Sequence, residues 1–172
     1  MLTLATSTET QVVTLGIDRE VFGVPVQAVR EILDFTPLCR LPDAPPHLAG
    51  LIDVRGSAVP VIDLRVRLGL PSVPPTDGTR VLVLDIERAG KLLALGLIAD
   101  RVFEVATLDR ATIQPPPDIG AAWRPEHIRG IARHGNGFVI LLDLGALLTG
   151  TELTNLAAPA AAEVADGPDH GG

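Results

Sequence analysis

Two stretches of this chain repeat each other, and the repeat limits the folds that the chain can adopt. Residues 45–64 align with residues 125–144 at an offset of 80 without a gap, and residues 22–33 align with residues 95–106 at an offset of 73. The identical pairs include Gly23/Gly96, Glu31/Glu104, His47/His127, Gly50/Gly130 and Asp63/Asp143. Two copies of one unit of about five short strands predict two similar small β-units in one molecule.

The composition indicates a β-rich chain with many turns. The sequence contains 17 Gly and 15 Pro, which punctuate short runs of Val, Leu and Ile, and 47% of its residues are hydrophobic. A single five-stranded sheet of this size buries too little apolar surface to be stable alone, so each unit must be stabilised by packing against the other. We predict an all-β fold of two tandem small five-stranded barrels packed side by side, with short helices.

The boundaries of these units follow from local composition. Residues 1–10 are predicted to be a disordered N-terminus, residues 11–72 the first barrel and residues 78–150 the second, with exchange of strands between the barrels left open. Residues 151–172 form a tail that carries four acids and no Lys or Arg. The tail is predicted to be partly helical and then disordered, because its Ala-, Pro- and Gly-rich end has almost nothing to bury.

Residues 50–70 read as a hairpin followed by a short helical turn. Leu51–Val54 and Ala58–Leu64 are predicted strands on either side of a turn that contains Arg55. Pro60 lacks an N–H group, which predicts that its strand lies at a sheet edge or carries a bulge there. Nothing in a local hairpin requires a guanidinium at Arg55.

The repeat also separates fold residues from candidate functional residues. Residues shared by both copies are most simply explained by the fold: the paired glycines by close backbone approach or bulges, the histidines by structural hydrogen bonds, and the aspartates by hydrogen bonds at strand ends. Arg30 and Arg55 occur only in the first copy, where the second has Phe103 and Gly135. These arginines are the better candidates for a specific role, against the alternative of unpaired surface arginines.

No catalytic motif stands out. The chain has no glycine-rich phosphate loop, no Gly-x-Ser-x-Gly nucleophile and no zinc spacing, and its lone Cys39 lies in a proline-rich loop. The run Val81–Asp85 resembles a phospho-accepting strand, but the turn at Glu87–Gly90 favours an antiparallel hairpin. A carboxylate pair for acid–base catalysis is left open, although nothing singles one out. We expect no cofactor and no metal.

The charge and the termini exclude further classes. A net charge of −7 and an aromatic content of 3% argue against a nucleic-acid-binding protein, which needs a basic face and stacking side chains. The N-terminus lacks the pattern of a signal peptide, and no apolar run reaches the ~18 residues of a membrane span. We predict a soluble cytoplasmic protein that does not insert into membranes and is a monomer when isolated.

A set of short motifs runs along residues 11–150. The motifs are Phe22–Val24, Val29–Ile32, Leu41–Pro45, Gly50–Gly56, Val59–Arg65, Gly96–Val102 and Leu141–Leu144. Together they resemble the CheW family, the coupling proteins of bacterial chemotaxis. The chain departs from the family pattern in two places: Asp53-Val54 stands where the family usually has Asn-Leu, and the acidic tail is not part of the pattern.

The resemblance implies a non-catalytic scaffold of two five-stranded barrels. Such a protein bridges the histidine kinase CheA, through the kinase's barrel regulatory domain, and the cytoplasmic tip of methyl-accepting chemoreceptors, and is recruited to receptor arrays at the membrane. Arg55 and Glu31 match the family's functional arginine and glutamate. Val29 and Ile32 would lie near the receptor groove or the kinase face. The side chains of Glu31 and Arg55 are predicted to form a partly exposed ion pair across adjacent strands.

Two other functions stay open at this point. A coupling protein of a related twitching or biofilm pathway would share every motif. A small-barrel ligand-binding domain or enzyme would need a polar pocket that holds a perturbed titratable group, and the sequence shows no such pocket.

Overall fold

The computed structural model describes residues 8–117 and 125–147 and forms ten β-strands and two α-helices in these ranges, the second of which reaches the last described residue. The strands are β1 Glu9–Ile17, β2 Glu20–Pro25, β3 Val29–Asp34, β4 Leu48–Val54, β5 Ser57–Asp63, β6 Arg80–Arg88, β7 Lys91–Ala99, β8 Arg101–Asp109, β9 Ile128–His134 and β10 Gly137–Leu142. The helices are α1 Leu64–Arg67 and α2 Leu144–Leu147. Among the described residues, no helix has the length and apolar character needed to cross a membrane.

The strands form two five-stranded sheets. Sheet A has the order β8-β1-β2-β10-β9 and sheet B the order β3-β6-β7-β5-β4. Neighbours pair antiparallel except β2 with β10 and β5 with β7, which pair parallel. Replacing each strand by its partner in the repeat turns one order into the other. The prediction of an all-β fold with two equivalent five-stranded units is confirmed, although the hydrogen-bonded ladders of the described residues do not close either sheet into a continuous barrel.

Each sheet takes strands from both copies of the repeat. Sheet A combines β1 and β2 with β8, β9 and β10, and sheet B combines β3, β4 and β5 with β6 and β7. The proline-rich linker near residues 72–78 is therefore not the border between the sheets. A proline-rich segment predicts where the chain leaves a sheet, but it does not predict which strands pair with each other.

Glycine occupies the points where the exchanged strands meet. Gly23 lies opposite Leu141 in the β2–β10 ladder, and Gly96 lies opposite Val61 in the equivalent β5–β7 ladder. A Cβ atom at Gly23 would lie 3.0 Å from a methyl carbon of Val139, and one at Gly96 would lie 3.1 Å from a methyl carbon of Val61. The close approach predicted for these two glycines is confirmed.

Three clusters of buried apolar side chains form the core of the two sheets. The largest joins the two sheets and includes Leu15, Ile17 and Val24 of sheet A with Leu82, Leu84 and Leu97 of sheet B. Two smaller clusters each belong to one sheet, one including Val12, Ala106, Ala132, Val139 and Leu141, the other Ile52, Val59, Val61, Val81 and Val83. Full burial of one such Leu or Ile side chain stabilises the fold by ~1.5–3 kcal/mol. Because the largest cluster is shared, each sheet depends on the other, as the sequence predicts.

The repeated aspartates begin the two helices. Asp63 Oδ1 accepts hydrogen bonds from the backbone N–H groups of Arg65 and Val66, and Asp143 Oδ1 accepts one from Ala146 at 3.1 Å. The backbone N–H groups of the two aspartates donate to the carbonyl oxygens of His47 and His127 at 2.8 and 2.9 Å. The predicted hydrogen bonds at the strand ends are confirmed.

Gly50 and Gly130 let a preceding loop approach the sheet. A Cβ atom at Gly50 would lie 2.5 Å from the carbonyl oxygen of Cys39, and one at Gly130 would lie 3.0 Å from the carbonyl oxygen of Gln114. In both copies the loop forms an isolated bridge to the next residue of the strand, Cys39 to Leu51 and Gln114 to Ile131. The close approach predicted for this glycine pair is confirmed.

Two expectations about strands need correction. The edge position and the bulge predicted for Pro60 are wrong, because β5 lies between β4 and β7 and its register with β4 is regular at Pro60. The proline is tolerated since the ladder to β7 begins only at Val61. The turn predicted at Glu87–Gly90 is shorter than expected: β6 reaches Arg88, and Ala89 and Gly90 both have positive φ angles. The predicted β6–β7 hairpin itself is confirmed.

Some expectations fall outside the described residues. They concern most of the N-terminal segment, part of the loop after Ile113, the continuation of the helix that begins at Leu144, and the tail.

Candidate partner-binding site

Arg55 lies in the two-residue turn between β4 and β5 with a φ angle of 52°. The turn is held by Asp53, whose carboxylate accepts a hydrogen bond from the N–H of Gly56 at 3.0 Å. The guanidinium of Arg55 donates twice to Glu31, from Nη2 to Oε1 at 3.1 Å and from Nε to Oε2 at 3.3 Å. The Arg55 side chain is 78% exposed and that of Glu31 20% exposed. The predicted ion pair is confirmed, and its bidentate geometry fixes the plane of the guanidinium.

The position of this pair in the sheet differs from the prediction. Glu31 lies on β3 and Arg55 follows β4, and these are the two outer strands of sheet B rather than adjacent ones. The sheet therefore curls until its outer strands face each other, and the ion pair spans the open side. Local sequence patterns predict strands and turns but not the order of strands in a sheet, which explains the error.

Sheet A has a weaker counterpart at the equivalent place. Glu104 on β8 and His134 on β9, the outer strands of sheet A, lie 3.5 Å apart at Oε2 and Nε2. His134 carries a charge only when protonated, whereas a guanidinium is always charged. At this position sheet B therefore has a permanently charged side chain, whereas sheet A has a histidine. This agrees with the sequence argument that Arg55 has no counterpart in the second copy.

The other two predicted site residues lie on β3 beside Glu31. Ile32 is 42% exposed, and because it directly follows Glu31 in β3, its side chain points to the opposite face of the strand. Val29 is half-buried and packs against the cluster shared by the sheets. The structure brings Glu31 and Arg55 together, and it places Ile32 and Val29 on the other face of β3, on the side of the cluster shared by the sheets.

A second ion pair lies beside the first. Arg30 donates to Asp85 on the neighbouring strand β6, from Nη2 to Oδ1 at 2.5 Å and from Nε to Oδ2 at 3.2 Å. Arg30 sits where the register of β3 and β6 shifts, between Val29 and Glu31. The repeat singles out Arg30 in the sequence, whereas Asp85 reads there only as the polar end of a strand. A carboxylate in the middle of an otherwise apolar strand was the signal for its partner.

Sheet A exposes apolar side chains on its own outer strand. Phe103 and Val105 on β8 are 49% and 51% exposed, and the guanidinium of Arg101 lies 5.7 Å from the centre of the Phe103 ring. Sequence reasoning missed this surface, because apolar residues such as Phe103 and Val105 on a strand are expected to face the core.

The arrangement of these side chains suits binding and shows no catalytic constellation. Within residues 8–117 and 125–147, no group of three or more His, Cys, Asp or Glu side chains is placed to hold a metal ion. The β4–β5 turn and β3 instead present a restrained arginine with its carboxylate, and β3 carries an exposed aliphatic side chain, Ile32, on its other face. An ordered, exposed arginine on a rigid edge is typical of protein–protein contacts.

Comparisons with known proteins agree with this interpretation. The family model of the CheW-like domain matches residues 11–152, a range that includes Glu31 and Arg55. The chain is 32% identical over 142 residues to the probable chemotaxis protein CheW of Rhizobium etli, which covers 83% of this chain and 89% of that protein. It is 34% identical over 128 residues to protein FrzA of Myxococcus xanthus, covering 73% of this chain and 77% of FrzA.

A solved structure gives the same result for the fold. The crystal structure of the scaffolding protein TtCheW from Thermoanaerobacter tengcongensis superposes with a TM-score of 0.74 at 27% identity, covering 85% of this chain and 92% of that one. From the family model, the relatives and the fold together, the chain belongs to the CheW family, the non-catalytic scaffold proteins of chemotaxis signalling complexes.

Proposed function

We propose that this protein couples methyl-accepting chemoreceptors to the histidine kinase CheA. In this proposal it works in the cytoplasm, is recruited to receptor arrays at the membrane, and is a monomer when isolated. It contributes no chemistry of its own. Binding energy at its two partner surfaces links the state of the receptor to the state of the kinase.

The observation that carries the proposal is the exposed bidentate pair of Arg55 and Glu31 at the open side of sheet B. Exposed ion pairs add little to stability, so a guanidinium held in one orientation at the surface is better explained by a partner. Ile32 offers an exposed apolar contact on the other face of the same strand, where Val29 packs against the core. An arginine that is already ordered loses less rotamer entropy when it binds.

The partners follow from membership of the family. Arg55 and Glu31, together with the exposed Ile32 on the other face of β3, would bind either the barrel regulatory domain of the kinase or the cytoplasmic tip of the receptor. Phe103 and Val105 on the outer strand of sheet A offer a second apolar surface, which a scaffold that bridges two partners requires.

A binding experiment with a matched control tests this assignment. Purified protein is titrated calorimetrically with the kinase barrel domain and, separately, with receptor-tip peptides, using the wild type, Arg55→Ala and Arg133→Ala. Arg133 is a fair control because it lies in the equivalent hairpin of sheet A, where it covers the Phe138 ring at 4.8 Å. We expect Arg55→Ala to weaken one of the two interactions and Arg133→Ala to weaken neither to the same extent. Wild-type protein that binds neither partner would refute the proposal.

A further inference from the structure

A bulge in β3 places two consecutive charged side chains on one face of sheet B. In the ladder with β6, Val29 pairs with Leu84 and Glu31 with Val83, so Arg30 is an extra residue. Val29 packs against the cluster shared by the two sheets, and alternation along the strand puts Arg30 on the opposite face. Glu31 lies on that face as well, because its pairing partner Val83 belongs to the smaller cluster of sheet B. Without the extra residue, the two side chains would lie on opposite faces.

The contacts of these two side chains agree with this placement. Arg30 pairs with Asp85, which stands two residues beyond Val83 on β6 and therefore points to the same face. Glu31 pairs with Arg55, which reaches it from the β4–β5 turn. Two bidentate arginine–carboxylate pairs are therefore neighbours on one face of sheet B, and β3 contributes the cation to one pair and the anion to the other.

In both pairs the guanidinium is more exposed than its carboxylate. The side chain of Arg30 is 38% exposed and that of Asp85 27%, and Arg55 is likewise more exposed than Glu31. Each guanidinium uses its Nε–H and one Nη2–H in its pair, which are two of its five N–H groups. Within residues 8–117 and 125–147, the remaining N–H groups of the two arginines have no acceptor on the protein. Both guanidiniums are therefore held in place and still have donors for a partner.

The second copy of the repeat has the same bulge but places a different side chain there. In sheet A the ladder of β1 with β8 carries the equivalent register shift, and Phe103 stands at the position of Arg30. Gly16 takes the place of Asp85 in this register, and a Cβ atom at Gly16 would lie 3.2 Å from the Phe103 ring. The bulge therefore sets the direction of the side chain, and the residue type sets its chemistry: an aromatic ring in sheet A and a guanidinium in sheet B.

We propose that Arg30 is a second partner-binding residue and that Arg30 and Arg55 together bind carboxylates on an acidic surface of one partner. The inference rests on the proposed function, since it names the chemistry that the same site recognises. A guanidinium binds a carboxylate through two parallel hydrogen bonds, so two ordered guanidiniums select a surface that carries two acids. Stability alone does not explain the arrangement, because exposed ion pairs contribute little to it. Sheet A, with Phe103 at the equivalent position, does not bind such a surface.

Calorimetric titration of the full-length protein with the kinase barrel domain and with receptor-tip peptides tests the inference. The matched control for Arg30→Ala is Arg80→Ala, because Arg80 pairs with Asp34 between the same two strands and its side chain has a similar exposure of 34%. We expect Arg30→Ala to weaken the same interaction as Arg55→Ala, by about fivefold or more, and Arg80→Ala to change it by no more than about twofold. High salt should reduce the difference between the wild type and Arg30→Ala, since it screens contacts between charges.

Exchange of the two charges separates binding from stability. The double variant Arg30→Glu/Asp85→Arg keeps an ion pair between β3 and β6 but puts a carboxylate where the partner meets a guanidinium in the wild type. We expect this variant to melt close to the wild type and to bind at least as weakly as Arg30→Ala. Wild-type affinity in the double variant would overturn the inference, because then only the presence of the ion pair would matter and not the position of its cation.

The result for Arg55→Ala keeps this inference apart from the proposed function. If Arg55→Ala weakens binding while Arg30→Ala behaves like Arg80→Ala, the inference is wrong and the proposed function stands. A loss in Arg30→Ala that high salt does not reduce, or that concerns the partner unaffected by Arg55→Ala, would also overturn the inference. Wild-type protein that binds neither partner would refute both.

Discussion

At the scale of single residues, the Arg55–Glu31 pair separates stability from binding. The Arg55 side chain is 78% exposed, so Arg55→Ala should change the free energy of unfolding by only ~0–1 kcal/mol. The same change should weaken partner binding by ~2 kcal/mol or more, because arginine anchors are frequent hot spots. Arg55→Lys should restore only part of the affinity, since an ammonium cannot form the two parallel bonds of a guanidinium. Thermal unfolding and calorimetry measure both quantities. A large drop in melting temperature with unchanged affinity would make Arg55 a structural residue.

Gly50 shows the opposite behaviour, because it serves only the fold. A methyl group at Gly50 would lie 2.5 Å from the carbonyl oxygen of Cys39, at a φ angle of 154°. Gly50→Ala should therefore destabilise the protein by more than ~2 kcal/mol. Gly56→Ala is the matched control, since Gly56 also has a positive φ angle but a methyl group there would meet no atom within 4 Å. It should cost only ~1 kcal/mol. Similar melting temperatures for the two variants would contradict this assignment.

At the scale of strands and helices, Arg65 ties parts of both sheets together. Its side chain at the start of α1 is 11% exposed and pairs with Asp100 at 2.6 Å and with Asp18 at 3.4 Å. Asp18 lies in the β1–β2 turn and Asp100 between β7 and β8. Arg65→Ala would leave Asp100, which is 22% exposed, without its guanidinium, and should destabilise the protein by about 2–3 kcal/mol.

A surface ion pair serves as the control for this prediction. Arg80 lies 3.5 Å from Asp34, whose side chain is 88% exposed, so Arg80→Ala should change stability by less than ~1 kcal/mol. Chemical unfolding of the wild type and both variants gives the comparison. A loss in Arg65→Ala no larger than that in Arg80→Ala would show that Arg65 does not link the sheets.

The sequence predicts the elements of this fold better than their arrangement. Hairpins, caps and close-packed glycines depend on neighbours in the chain or on the repeat, so Asp63, Gly50 and the β9–β10 turn could be assigned from residue type and spacing. The pairing of Glu31 with Arg55 could be predicted as well, because both residues match the family pattern. Its location on opposite outer strands could not, since strand order is decided by contacts between distant parts of the chain. The same holds for Asp85, whose partner lies on another strand.

At the scale of the whole molecule, the exchange of strands explains why the two sheets form one unit. The parallel ladders β2–β10 and β5–β7 each join the first copy of the repeat to the second. The largest apolar cluster then buries side chains of both sheets against each other. Neither copy of the repeat can complete a sheet alone, so the repeat does not correspond to two independent domains.

We therefore expect the protein to unfold in one cooperative transition, and neither half to fold alone. A fragment of residues 1–72 would contain β1 to β5 but would lack β6 and β7, which lie in the middle of sheet B, and β8 to β10 of sheet A. Its outer strands β3 and β4 could not meet, and the apolar faces of its strands would stay in water. Circular dichroism and amide dispersion in NMR should show an unfolded fragment 1–72 and an unfolded fragment 73–172. Mixing the two fragments should restore the native spectrum, because the missing strands then pair across the two chains. A cooperative thermal transition in either isolated fragment would show that one copy of the repeat forms a stable sheet without the other.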